Sequence, residues 1–157
     1  MEDQHIKKRA LQLLRELTQA HGAPGEEDAV RRIFSAELDG SVHTDKTGNV
    51  YHVKRGNADG PRVMLTAHMD EVGFMVQSIT KQGLLRFIPL GSWSAQTLLA
   101  QRVRVRTRAG NEIIGVIGAK PPHLLTGNER DKLPNIEEMF IDVGAYDKAD
   151  VQNRFQI

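Results

Sequence analysis

The hydrophobic period of this chain changes once, near residue 70, and that change limits the fold more than any other feature. Before it, Ile6, Ala10, Leu13, Leu14 and Leu17 recur at helical spacing, and Gly22 stands where a left-handed C-terminal glycine would stop the helix. Ala23-Pro24-Gly25 predicts a turn. The acidic trio Glu26, Glu27 and Asp28 suits the positive N-terminus of a second helix, whose apolar face is Val30, Ile33, Phe34 and Leu38. From Ser41 the pattern predicts a hairpin, turning at Asp45-Lys46-Thr47-Gly48 into a strand over 49–54, with a further turn over 56–61. Val63-Met64-Leu65-Thr66-Ala67-His68 is a short, nearly unbroken apolar run. It is expected to be a strand buried on both faces.

Beyond Val72 the helical spacing vanishes. Strand-like runs fall at 72–79, 84–88, 102–107, 112–117 and 139–143, separated by Gln82-Gly83, Gly91-Ser92, Ala109-Gly110-Asn111 and a Pro-rich loop from Lys120 to Asn135. Many short strands with glycine turns predict a small β-barrel or sandwich. The expected fold class is therefore α/β, with a mixed α/β part over 1–70 and a β lobe over 71–157. A chain of 157 residues is long enough for a real core without covalent staples.

Several function classes fall away on composition. With no cysteine, disulfides and thiolate chemistry are excluded. A net charge of +1 from 21 basic and 20 acidic residues calls for neither nucleic acid nor an anionic membrane as partner. The start of the chain has no apolar leader-like region and no later run reaches transmembrane length, so the expected location is the cytoplasm. Arg102, Arg104 and Arg106 alternate with Val103 and Val105. A single-strand nucleic-acid groove would interleave aromatic platforms with such a stripe; none is interleaved, so a solvated strand face is expected. There is no nucleophile elbow, phosphate loop or Cys-His arrangement.

Chemistry concentrates in Ala67-His68-Met69-Asp70-Glu71-Val72-Gly73. A histidine at the C-terminal end of a buried strand lies where α/β proteins bind ligands. Asp70, two residues on, projects from the same face of an extended chain. That suits an imidazole bound to a metal through one nitrogen and hydrogen-bonded to a carboxylate through the other. On spacing alone, a merely hydrogen-bonded pair at a strand end explains the residues as well.

Residues 67–76 resemble the signature of the glutamyl aminopeptidase family, the self-compartmentalising tetrahedral-type aminopeptidases, some of which are labelled endoglucanase or cellulase M. His21-Gly22-Ala23-Pro24-Gly25-Glu26 is similar to the family's HG-x-[SP]-G-x-E segment, and Asp45 to Val50 to its D-x-x-GN hairpin. Gly83-Leu84-Leu85-Arg86-Phe87, Gly118 to His123 and Phe140 to Ala145 follow in the family's order. Gly91-Ser92-Trp93 departs mildly from the usual Gly-Gly-Trp.

The resemblance implies that this is the N-terminal part of an α/β metallopeptidase catalytic lobe, followed by a small inserted β-barrel dimerisation lobe that is incomplete at its C-terminal end. It implies that His68 ligates one of two divalent ions, zinc or cobalt, and that Asp70 supports that histidine. In the family the ion pair activates a water for hydrolysis of peptide N-termini, with a glutamate as general base. The remaining ligands and the base lie in a later half with no counterpart here. The chain is thus expected to be truncated, inactive alone and unable to retain metal, while the complete protein builds dimers into a dodecamer. Asp142 and His123 are expected to be ordinary turn and loop residues. Glu71 is open between site and loop carboxylate, and Trp93, Leu98 and Leu99 are open between core and oligomer contact. Two other readings compete: a non-catalytic dimerisation module, and, more weakly, a glycoside hydrolase, for which no opposed carboxylate pair is identifiable.

Overall fold

The computed structural model describes residues 2–56, 60–127 and 132–157. The chain divides into two compact units, Met1–Glu71 and Val72–Ile157. The turn expected over 56–61 and the loop over 120–135 fall partly outside the described residues.

The first unit holds helices α1 (Glu2–Gln19) and α2 (Asp28–Ala36) and a two-stranded antiparallel ribbon, β1 (Val42–Thr44) and β2 (Val50–His52). Arg9 on α1 grips the Glu37 carboxylate just beyond α2 through both Nε and Nη2. Arg31 on α2 donates from Nε to the Gly48 carbonyl, 3.2 Å away, tying that helix to the ribbon turn. The turn itself is built by Asp45. Its Oδ1 accepts from the Thr47 and Asn49 amides and the Thr47 hydroxyl, and its Oδ2 accepts from the Asn49 side-chain amide. This is the turn expected from Asp45-Lys46-Thr47-Gly48, with Gly48 supplying a φ of +92° that a side chain would resist.

Two expectations for this unit are corrected. Gly22 does not cap α1: the helix stops at Gln19, and Gly22 is not among the residues of positive φ. The run 63–68 is not a buried strand. It has no pairing partner among the described residues, and Val63, Met64 and Leu65 are 80%, 83% and 94% exposed. An extended apolar run becomes a buried strand only where neighbours cover its faces and accept its amides. None of the described residues does so. Val30 is the one buried apolar side chain of the unit among those described, whereas Ile6, Leu11, Leu14 and Phe34 are exposed.

The second unit is better packed. Strands β3 (Gly73–Ile79), β4 (Leu85–Leu90), β5 (Arg102–Arg106), β6 (Glu112–Gly118) and β7 (Phe140–Asp142) match the five expected runs to within one or two residues. They form one antiparallel sheet of order β3-β4-β7-β6-β5. Pairing between β3 and β5, which would close a barrel, is not among the ladders of the described residues. The inner face carries Leu85, Phe87, Val105, Ile117 and Ile141, covered by Leu98, Met139, Val143 and Val151. Burying each such Leu or Ile contributes about 1.5–3 kcal/mol. Val151 is presented by a short helix, α3 (Lys148–Asp150), which runs into a single π-type turn over Val151–Phe155. The Asp147 carboxylate caps α3 by accepting from the Asp150 amide at 2.8 Å.

Of the three residues open on sequence, Leu98 lies in the core, and Trp93 and Leu99 are half-buried and pack against it. Leu98 is 1% exposed. Trp93 stacks on Phe74 with ring centroids 4.8 Å apart and donates from Nε1 to the Gly73 carbonyl at 3.1 Å. The outer face of β5 carries Arg102, Arg104 and Arg106, all exposed, with Arg104 3.4 Å from Glu112, as expected of a solvated strand face. Next to them the exposed Ile114 and Val116 share that face, since Arg104 pairs with Ile114 and Arg102 with Val116. No helix among the described residues is long and apolar enough to cross a membrane.

The Asp45 turn makes a pH prediction. Hydrogen bonds from the Asn49 and Thr47 side chains, then from their amides, hold the Asp45 carboxyl down from 3.8 to about 2. A carboxylate stabilised in the folded state contributes fully above its unfolded value and loses that contribution as the pH falls through its folded value. Carbon-detected NMR titration is expected to place the Asp45 midpoint near 2, with the ribbon turn intact at pH 4 and loosening towards pH 2. A midpoint at or above 3.8 would refute the hydrogen-bond network.

Candidate metal centre

His68 ends the exposed apolar run, and its imidazole turns back on the chain. Nδ1 lies 2.9 Å from the backbone carbonyl oxygen of Asp70 and 3.2 Å from the Asp70 carboxylate oxygen Oδ1. A carbonyl can only accept, so the nearer contact requires a proton on Nδ1. The Nε2 lone pair is then left pointing away from the contact, on a side chain that is 85% exposed. The structure thus brings together the two residues singled out on sequence, although the carbonyl, which side-chain spacing could not reveal, is the closer acceptor. A ring nitrogen fixed by an acceptor while the other stays basic is the arrangement metal-bound histidines use.

The segment behind the histidine is held at one point. The Glu71 amide donates to the Gly22 carbonyl at 2.7 Å. Among the described residues this is the one backbone hydrogen bond linking 53–71 to another part of the chain. Gly22 is buried, and a β-carbon there would sit 3.1 Å from Val30 Cγ2 and 3.3 Å from the Met69 carbonyl oxygen. Glu71, open on sequence, therefore serves this contact through its backbone. Sequence reasoning missed the partnership because a glycine after a helix reads first as a cap; the apolar Val30 eight residues on was the available hint that Gly22 could be a packing contact.

The other residues considered on sequence have local roles of their own. Asp142 lies in the second unit and accepts from the Gly144 amide at 2.8 Å through Oδ1, a turn role. His123 sits in a short 3-10 turn, Pro122–Leu124, and is exposed. A shallow cleft of about 630 Å³ beside the ribbon is lined by Asp39, His43, His52 and Lys54 among others. The ribbon register pairs His43 with Tyr51 and Val42 with His52, so the two histidines project from opposite faces of the ribbon. Among the described residues no group of three or more His, Cys, Asp or Glu could hold a metal ion. A catalytic zinc takes three protein ligands and an open position. The residues present fit one ligand and its orienting acceptor, not a whole site.

The family model for M42 glutamyl aminopeptidases matches residues 48–157, and a second, described as AMPT, matches 8–34. The chain belongs to the M42 glutamyl aminopeptidase family, whose members are metallo-aminopeptidases. It is 38% identical over 138 residues to glutamyl aminopeptidase of Lactococcus lactis subsp. cremoris, covering 85% of this chain and 39% of that protein. The crystal structure of a TET aminopeptidase from a marine sediment archaeon of the Thaumarchaeota matches with a TM-score of 0.85 at 40% identity, over 93% of this chain and 41% of that one. The TET1 peptidase of Pyrococcus horikoshii matches with a TM-score of 0.75 at 33% identity, over 89% of this chain and 42% of that one. It is described as assembling into a tetrahedron or a large octahedral shell. The chain thus spans about two fifths of the length of the relatives it matches.

The two acceptors near Nδ1 can be told apart. In Asp70→Ala the carboxylate is lost but the nearer carbonyl remains. Long-range ¹H–¹⁵N spectra are expected to show neutral His68 still protonated mainly on Nδ1. A switch to the Nε2–H form in that variant would show that the carboxylate, not the carbonyl, sets the tautomer.

Proposed function

We propose that this chain is the N-terminal portion of a divalent-metal-dependent aminopeptidase, with His68 Nε2 as one metal ligand and Asp70 as the residue that orients it. The observation that carries the reading is a histidine whose Nδ1 is occupied by a carbonyl and whose Nε2 has no partner among the described residues, in a chain of the M42 family. Zinc and cobalt both suit such a nitrogen. When bound, a divalent ion supplies Lewis acidity towards the scissile carbonyl. The chain's own part is narrower: it presents one basic nitrogen in a fixed tautomer and holds the segment behind it against Gly22.

Peptide hydrolysis also requires a general base within reach of the attacking water and further ligands. We assign these to polypeptide corresponding to the part of its relatives that the chain does not match. The exposed run 63–68 and the uncovered faces of α1 and α2 are the surfaces such polypeptide would cover. On this reading residues 1–70 contribute to the α/β catalytic lobe and 71–157 form the dimerisation lobe. The complete protein works in the cytoplasm on peptide N-termini, as dimers assembled into a dodecamer. The multi-subunit assembly of the Pyrococcus horikoshii relative supports the oligomer. Exposed Met75, Ile114 and Val116 support a contact role for the β lobe, which is also what a purely non-catalytic dimerisation module would need.

Aminoacyl p-nitroanilides distinguish these readings. The 157-residue chain with added cobalt or zinc is expected to give no turnover above blank. Adding the unmatched remainder of a relative such as the Lactococcus enzyme is expected to create metal-dependent release, lost by at least about 100-fold in His68→Ala. Release by the mixture that His68→Ala leaves unchanged would remove His68 from the site. A mixture that assembles yet stays inactive would favour the non-catalytic module.

A further inference from the structure

We infer that Gly22 is a positioning residue for His68, acting through the carbonyl it offers to Glu71 and through its lack of a side chain; this rests on the reading of His68 as a metal ligand. Glycine is required here for space rather than for backbone conformation, because Gly22 is not in the left-handed region and its surroundings are filled. Its missing β-carbon leaves room for the Met69 carbonyl, which would otherwise be 3.3 Å away, and for Val30 Cγ2, at 3.1 Å. Met69 stands between the histidine and the aspartate whose carbonyl fixes it.

The tolerances are small. The contact between His68 Nδ1 and the Asp70 carbonyl is 2.9 Å, and such bonds weaken beyond about 3.2 Å. A methyl at position 22 must push Met69 or Val30 by a few tenths of an ångström, which is the whole margin. Val30 is the one buried apolar side chain of this unit among the described residues, and a β-branched side chain on a helix has little χ1 freedom with which to move aside. The Glu71–Gly22 bond, at 2.7 Å, is the tether next to the displaced residue. Loss of that tether frees 69–71 and with it the acceptor that keeps the proton on Nδ1. Gly22 thereby sets the tautomer of a histidine 46 positions along the chain without touching its ring.

The test uses the ¹⁵N-labelled 157-residue chain without metal. Amide exchange is expected to be at least about tenfold slower at Glu71 than at Met69 and Asp70; equal rates overturn the proposal. Gly22→Ala is expected to erase that protection and to move His68 towards the tautomer mixture of the urea-denatured chain. Gly56→Ala, where a β-carbon meets nothing within 4 Å, is expected to change neither. A Gly22→Ala chain that folds by far-UV circular dichroism with Glu71 protection and His68 tautomer intact overturns the proposal. Should Gly22→Ala not fold, the wild-type chain decides in a urea series. Glu71 protection and the Nδ1–H tautomer are expected to disappear over the same urea range, and a tautomer that outlasts the protection overturns it. The metal reading fails separately. If the His68 ring nitrogens respond to zinc no more than those of His5 on exposed α1, His68 is no ligand, even where the tether to Gly22 is intact.

Discussion

Apolar burial is the constraint from which the rest of this structure follows, and it is unevenly spread. Nine of the buried apolar side chains form one cluster in the second unit, and in the first unit only Val30 joins the buried set among the described residues. The five-stranded sheet can therefore hold its register by packing Leu85, Ile117 and Ile141 against Leu98, Met139 and Val151. The first unit relies instead on directed polar contacts: Arg9 with Glu37, Arg31 with the Gly48 carbonyl, and the Asp45 turn. The exposed ones, Arg9 with Glu37 and the Asp45 turn, contribute little each. An apolar face left open on a helix or an extended run is a surface in want of a covering.

That imbalance explains which parts of the fold were legible in the sequence. Strands with alternating patterns and glycine turns, such as Arg102–Arg106 and Glu112–Gly118, were legible because their own packing partners lie within the chain. The Asp45 turn was legible because its bonds are local. The run 63–68 was misread because burial is not a property of a sequence run. Val63, Met64 and Leu65 have the composition of an interior strand, yet no described neighbour encloses them. Gly22 was misread for a related reason. A glycine permits either an unusual φ or a close approach, and only the spatial neighbour Met69 shows which is in use.

At the candidate site the sequence identified the pair but not the atom. His-x-Asp spacing suggested a carboxylate acceptor, whereas the carbonyl of the same aspartate lies closer. The distinction matters chemically. The carbonyl belongs to the backbone and survives any substitution of the Asp70 side chain, whereas the carboxylate does not. Family membership supplies the reason to regard a free Nε2 as a ligand; the local geometry supplies the reason it is available. One proposed ligand is far short of a hydrolytic centre, and the exposed surfaces of the first unit lie on the same stretch of chain as that histidine.

Metal content of the purified 157-residue chain, measured after incubation with cobalt or zinc and exhaustive dialysis, tests this account most directly. A single imidazole with its orienting acceptor is predicted to retain well below one ion per chain, because a tight site needs three or more protein ligands. Retention of about one ion or more per chain, lost in His68→Ala, would contradict the account, since the missing ligands would then have to come from other residues of this chain or from a second copy of it.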